Sequence, residues 1–189
     1  LPALDVIARD FGVTEANQRQ YVITSFFFGL TVGTLFYGPV SDTTGRKPAI
    51  YAGLALYALG CIMCFAATSF SMLLLGRLLS GLGAAGPRVV GLAMVRDGLA
   101  GAAMARVMSF VMSVFMLVPI LAPSIGQLVL LYASWHVIFV GFLAIAAVAA
   151  ALLFFRQEET LPPERRVGLS LPVMLGSARE FFRHPVAWG

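Results

Sequence analysis

The chain has 189 residues, of which 59% are hydrophobic and only 12% charged. Soluble domains carry about 45–50% apolar and about 25% charged residues, so this composition excludes an ordinary soluble enzyme, a nucleic-acid binder and a disordered chain. A mean hydropathy of +0.89 fits an all-α protein that crosses a membrane several times, and the net charge of +4 reads as loop charge that orients it in the bilayer.

The chain opens on Leu1-Pro2-Ala3-Leu4, with no signal-peptide pattern, and ends on Val186-Ala187-Trp188-Gly189. It is expected to be a piece of a longer protein. Residues 1–20 read as an outer loop carrying Asp5, Asp10 and Glu15 against Arg9 and Arg19. A spanning helix needs about 20 mostly apolar residues, and five stretches qualify: 21–40, 48–67, 71–95, 107–132 and 137–155. None contains Asp or Glu. The connections are 41–47, a tight turn at Thr68-Ser69-Phe70, a longer loop 96–106, and a short turn 133–136. From 156 a charged, Pro-containing linker begins, followed by an amphipathic helix over 171–182 and a further span from His184.

Lys and Arg fall unevenly on these connections. One side collects nine, Arg46, Lys47, Arg96, Arg106, Arg156, Arg165, Arg166, Arg179 and Arg183; the other holds Arg9 and Arg19. The nine-residue side is expected in the cytoplasm. The expected organisation is therefore an outer segment 1–20, a five-helix bundle 21–155, and a cytoplasmic linker 156–189.

The most informative connection is Gly38-Pro39-Val40-Ser41-Asp42-Thr43-Thr44-Gly45-Arg46-Lys47. Pro39 is expected to end the first span. Asp42 should open a tight turn, Gly45 should supply a positive φ, and Arg46 and Lys47 should anchor the membrane surface. On residue types alone this is a charged hairpin. Its pattern, however, resembles the signature between the second and third helices of the major facilitator superfamily, with Thr43 where a basic residue is usual. That resemblance implies a gate latch, in which Asp42 and Arg46 are expected to meet Asp97 and Arg96 at the end of the third span.

Further stretches carry the same resemblance in order. Leu75-Gly76-Arg77 with Ser80 and Gly81 resembles the fourth-helix motif of proton-driven members. Pro119-Ile120-Leu121-Ala122-Pro123-Ser124-Ile125-Gly126 resembles the fifth-helix motif of drug antiporters through Pro119, Pro123 and Gly126. Trp135-His136 resembles the entry to helix six. Leu1-Pro2-Ala3-Leu4 with Phe11-Gly12-Val13, Gln20, Tyr37-Gly38-Pro39-Val40-Ser41-Asp42 and Val95-Arg96-Asp97 most closely resemble the Bcr/CflA-like branch of drug:proton antiporters. This resemblance implies that the five spans are helices two to six of twelve, that residues 1–20 are an outer loop with the end of helix one, that the linker 156–189 leads to helix seven, that the proton-carrying acid lies on helix one, and that the partners are a small-molecule substrate, protons, the bilayer and a C-terminal bundle of the same chain. The implied activity is proton-coupled efflux in the inner membrane. A metabolite transporter of the same family is the alternative, and a membrane-embedded interaction protein a more distant one. No cofactor, metal or nucleic acid is expected, and no enzymatic activity.

The residues support a transport role independently. An arginine well inside a span is costly and marks a watery path or a buried partner. Arg77 and Arg88 are eleven residues apart, which returns to nearly the same helix face roughly 16 Å along the axis. Both are candidate transport or proton-coupling residues. Ser80, Ala84, Met112 and Met116 are candidate cavity-lining positions. Gly29, Gly33, Gly81 and Ala85 should allow close helix packing. Cys61 and Cys64 sit in an apolar span with no further ligand, so they read as core.

Overall fold

A computed structural model describes residues 2–13, 15–162, 164 and 166, the side chains of residues 2, 3 and 16 excepted. The amphipathic helix expected over 171–182, the span expected from His184, and Arg165, Arg179 and Arg183 lie outside the described residues. The described elements are all helical: α1 (Pro2–Asp10), α2 (Ala16–Thr44), α3 (Arg46–Phe65), α4 (Phe70–Gly98), α5 (Gly101–Tyr132) and α6 (His136–Arg156). The last five are long and apolar enough to cross a membrane. Helices are favoured there because every backbone N–H and C=O must be satisfied within the segment.

The helices run further than the hydropathy pattern predicts at the end that carries Arg46 and Asp97, here the charged end. Pro39 does not stop α2, which continues to Thr44. Hydroxyls bond back onto the helix after the proline: Ser41 Oγ donates to the Gly38 carbonyl at 2.8 Å, and Thr43 and Thr44 both donate to the Val40 carbonyl. Asp42 thus lies in the last turn of a helix rather than at the head of a loop. The expected loop 96–106 also shrinks, to Leu99 and Ala100 between α4 and α5, with Gly101 at φ 56°. Arg106 is therefore in a helix. The predicted turn before α4 holds, and the Ser69 hydroxyl caps it by accepting from Met72 N–H at 3.3 Å.

α4 is the centre of the packing. On one side its Leu78, Leu82 and Ala85 meet Gly29 and Gly33 of α2, and its Gly81 lies against the Phe26 carbonyl. A Cβ on Gly33 would come within 2.6 Å of the Ala85 Cβ. On the other side Gly76, Ser80, Gly83 and Gly86 meet Gly53, Tyr57, Gly60 and Cys64 of α3. These seams are backbone against backbone, which is how membrane helices gain contact when lipid is as apolar as Leu.

Two apolar clusters flank this sandwich. One gathers Ile7, Val22, Cys64, Leu73, Trp135 and Phe139 at the end away from Arg46. There the Trp135 indole N–H donates to the Asp10 carboxylate, and His136 stacks on Trp135 at 3.6 Å. Arg19 pairs with Asp5 at 2.9 Å, joining α1 to α2. The second cluster is Ala49, Ile50, Val90 and Met94. α5 has no buried residue.

Candidate functional site: a charged latch and the open face of α4

Gly45 is the single residue between α2 and α3, at φ 104°. That conformation suits glycine, and it turns α3 back so that Arg46 points at the ends of both α2 and α4. The guanidinium is buried and makes three side-chain bonds. Nε donates to Asp97 at 2.8 Å, and Nη1 donates to Asp42 at 2.6 Å and to Ser41 Oγ at 2.7 Å. The expected meeting of Asp42, Arg46 and Asp97 is present. Arg96 does not join it. Being exposed one residue before Asp97, it turns about 100° away and donates to its own helix at the Leu92 carbonyl, 3.3 Å. Thr43 is likewise occupied within α2.

Sequence reasoning missed Glu159. Its carboxylate accepts the backbone N–H groups of Arg46 at 2.9 Å, Lys47 at 3.0 Å and Leu161 at 3.0 Å. Lys47 Nζ also donates to the Gln157 carbonyl at 2.7 Å. Burial alone would raise the Glu159 pKa, but the three N–H donors, aided by Arg166, outweigh it and hold the carboxyl below its ordinary value. The linker after α6 is therefore fastened to the N-terminus of α3. The available signal was an acid beyond the last span, on the side where α3 begins with no Ser, Thr, Asp or Asn to cap it.

Between the α2-facing and α3-facing rows of α4 runs a third row, covered by α2 at its Arg77 end and exposed at Arg88. At about 100° per residue, Arg77, Ala84, Arg88, Gly91 and Val95 all fall on it. Arg77 is half-buried. Its Nε donates to the Val22 carbonyl at 3.2 Å, and its Cζ lies 4.6 Å from the centre of the Phe26 ring. Among the described residues no carboxylate pairs with it. Arg88 is exposed, with Cζ 6.0 Å from the centre of the Phe115 ring on α5. Gly91 and Val95 border an apolar cavity of about 770 Å³ between α3, α4 and α6.

Ser80 is not on this face. It is 1% exposed in the α3 seam, and its hydroxyl donates to the Arg77 carbonyl at 2.9 Å; three residues from Arg77, it is rotated roughly 60° out of the open face. Ala84 is on the face and half-buried. Met112 and Met116 are exposed on α5, at 49% and 74%. Pro119 and Pro123 lie inside an uninterrupted α5. A Cβ at Gly126 or Gly38 would meet nothing within 4 Å, so neither glycine is required by packing among the described residues.

The family model described as Major Facilitator Superfamily matches residues 1–189. The chain belongs to the major facilitator superfamily. It is 36% identical over 181 residues to a bicyclomycin resistance protein homolog of Haemophilus influenzae, covering 96% of this chain and 44% of that protein. It is 33% identical over 165 residues to the multidrug resistance protein MdtL of Salmonella heidelberg, covering 87% and 42%. It is also 34% identical to the MFS-type transporter YdgK of Bacillus subtilis, covering 90% and 43%. The crystal structure of the human organic anion transporter MFSD10 (TETRAN) shares the fold, at a TM-score of 0.56 and 22% identity over 96% of this chain and 46% of that one. This major facilitator chain thus spans less than half the length of the curated relatives it matches. Homologues and fold are those of multi-pass membrane transporters, not enzymes.

Proposed function

We propose that the whole protein exports drug-like organic molecules across the inner membrane in exchange for protons. The cargo reading is supported by relatives named for bicyclomycin and multidrug resistance. The observation that carries the coupling is Arg77, a guanidinium within a span, held by a carbonyl and a ring rather than by a carboxylate among the described residues. Such a cation lowers the pKa of an acid that approaches it and helps release its proton. In this reading the acid is supplied from helix one of the full-length protein, and substrate and acid compete for the open face of α4 in successive states.

Export would proceed by alternating access, with two bundles rocking about a midplane site. Residues 21–155 would supply five helices of the first bundle, residues 1–20 the outer segment, and residues 156–189 the cytoplasmic linker. The charged end would face the cytoplasm, as the excess of Lys and Arg favours. There the Arg46 network would act as a latch, holding α2, α3 and α4 in register when the cytoplasmic mouth closes.

The test uses full-length protein in proteoliposomes with an imposed pH gradient. Export of a fluorescent drug should follow the gradient and collapse with a protonophore. Drug flux indifferent to the gradient would overturn proton exchange. Flux of a polar metabolite with no drug flux would favour the metabolite reading.

A further inference from the structure

The open face of α4 carries an unusual charge inventory. The segments 21–40, 48–67, 71–95, 107–132 and 137–155 contain no Asp or Glu, yet α4 places Arg77 and Arg88 on one face. At the charged end, Asp42 and Asp97 are both engaged by Arg46. Arg88 lies nine residues before Asp97, roughly 13 Å deeper along the helix, and makes no ion pair with either. Arg77 is occupied by Val22 and Phe26 on the α2 side. Arg88 is exposed, and its guanidinium lies over the Phe115 ring.

Phe115 is not isolated. Met112 and Met116 lie three residues before it and one after it on α5, so all three fall on one side of that helix. They are 47%, 49% and 74% exposed for Phe115, Met112 and Met116. An aromatic ring and two thioethers form a surface that adapts to flat apolar molecules. The guanidinium beside it offers a planar fork of donors that matches a carboxylate or similar oxyanion.

We propose that Arg88, with Phe115, Met112 and Met116, is a substrate subsite that takes aromatic molecules bearing an anionic group and disfavours aromatic cations. This deepens the export reading above and rests on it only in treating the open face as a substrate wall. Arg88 pairs with the anion, and the α5 side chains hold the ring. The same charge repels a quaternary ammonium, so selectivity comes from repulsion as well as attraction.

The experiment measures equilibrium binding of two dyes to the full-length protein in lipid nanodiscs: carboxyfluorescein, an aromatic anion, and ethidium, an aromatic cation. The ratio of their dissociation constants is the readout, because differences in the folded fraction cancel in it. The unmodified protein should favour carboxyfluorescein. Arg88→Gln should weaken that dye by about 10-fold or more, the scale of a hydrogen bond to a charged group. Arg88→Lys should fall between, since it keeps the charge and loses the fork. Arg88→Glu should reverse the order of the dyes. A ratio that is the same in the unmodified protein and in Arg88→Glu would overturn the subsite, as would a preference for ethidium or no binding of either dye. Anion preference set by Arg88 without gradient-driven flux would remove proton exchange and leave the subsite standing. Gradient-driven flux with a ratio indifferent to Arg88 would do the opposite.

Discussion

Glu159 caps Arg46 across 113 positions of sequence, its carboxylate accepting the Arg46 backbone N–H at 2.9 Å. The same carboxylate accepts from Lys47, so the linker after α6 closes the N-terminus of α3. That terminus carries the positive end of the helix dipole, and a carboxylate there is worth more than a neutral acceptor.

Glu159→Gln in the full-length protein should lower thermal stability at pH 7, by roughly 1 kcal/mol as for other lost caps. The sign with pH is fixed by the pKa direction. The folded carboxyl titrates below its ordinary value near 4.5, so its stabilisation is fully present above that value and is lost as pH falls through the folded pKa. The melting difference between the two proteins should therefore hold from pH 8 to about 5 and shrink below. A difference that stays constant down to pH 3 would mean the charge of Glu159 contributes nothing.

How much of this was legible follows from what each signal measures. The five spans were legible because a bilayer demands long apolar runs, and the α2–α4 seam because Gly29, Gly33, Gly81 and Ala85 recur at helical spacing. The meeting of Arg46 with Asp42 and Asp97 followed from a resemblance and from charges sharing one end. The helix ends are not legible in hydropathy, which marks where the apolar core stops and not where hydrogen bonding stops; Ser41, Thr43 and Thr44 carry α2 past its apolar part. Ser80 is three residues from Arg77, and nothing in the sequence tells that it packs toward α3. Glu159 was hidden by contact distance: in sequence it is one acid in a charged linker, and only the folded chain brings it to α3.

The Arg46 network should be unequal in its parts. Asp97 is 29% exposed in its side chain and Asp42 is 51% exposed. Solvent screens the second pair more. Asp97→Asn is expected to destabilise the full-length protein by about 1.5–3 kcal/mol, the range for a hydrogen bond to a charged group, and Asp42→Asn by less than half as much. A double-mutant cycle with Arg46→Lys, read by thermal unfolding, should give the larger coupling for Asp97. Equal couplings would show that exposure does not rank these contacts.

Glycines separate packing from signature. A Cβ at Gly81 would collide with the Phe26 carbonyl, whereas one at Gly38 would meet nothing within 4 Å. Gly81→Ala should push α2 from α4 and sharply reduce the yield of folded protein. Gly38→Ala should fold as well as the parent or better, since alanine in a helix is favoured over glycine by roughly 0.5–1 kcal/mol. If Gly38→Ala folds and fails to transport, the signature glycine serves a contact made during the transport cycle. Loss of folding in Gly38→Ala and not in Gly81→Ala would contradict the seam described here.

Arg77 decides the coupling proposal. Its guanidinium is fixed from two directions, by the Val22 carbonyl at 3.2 Å and by the Phe26 ring at 4.6 Å. A cation over an aromatic ring contributes about 0.5–2 kcal/mol, more as water is excluded, so Arg77→Ala loses some stability but leaves the α2 and α3 seams intact. Its larger effect should be on the proton cycle, because nothing then lowers the pKa of the approaching acid. Arg77→Lys keeps the charge near Phe26 and loses the fork, so it should retain partial activity with its pH profile shifted. The measurement is gradient-driven efflux per folded molecule, counted by quantifying protein in the proteoliposomes. Arg77→Ala is expected to lose coupled efflux while still binding drug. If instead it is poorly folded but pumps normally per molecule, Arg77 is a packing residue and the proton-coupling role assigned to it falls.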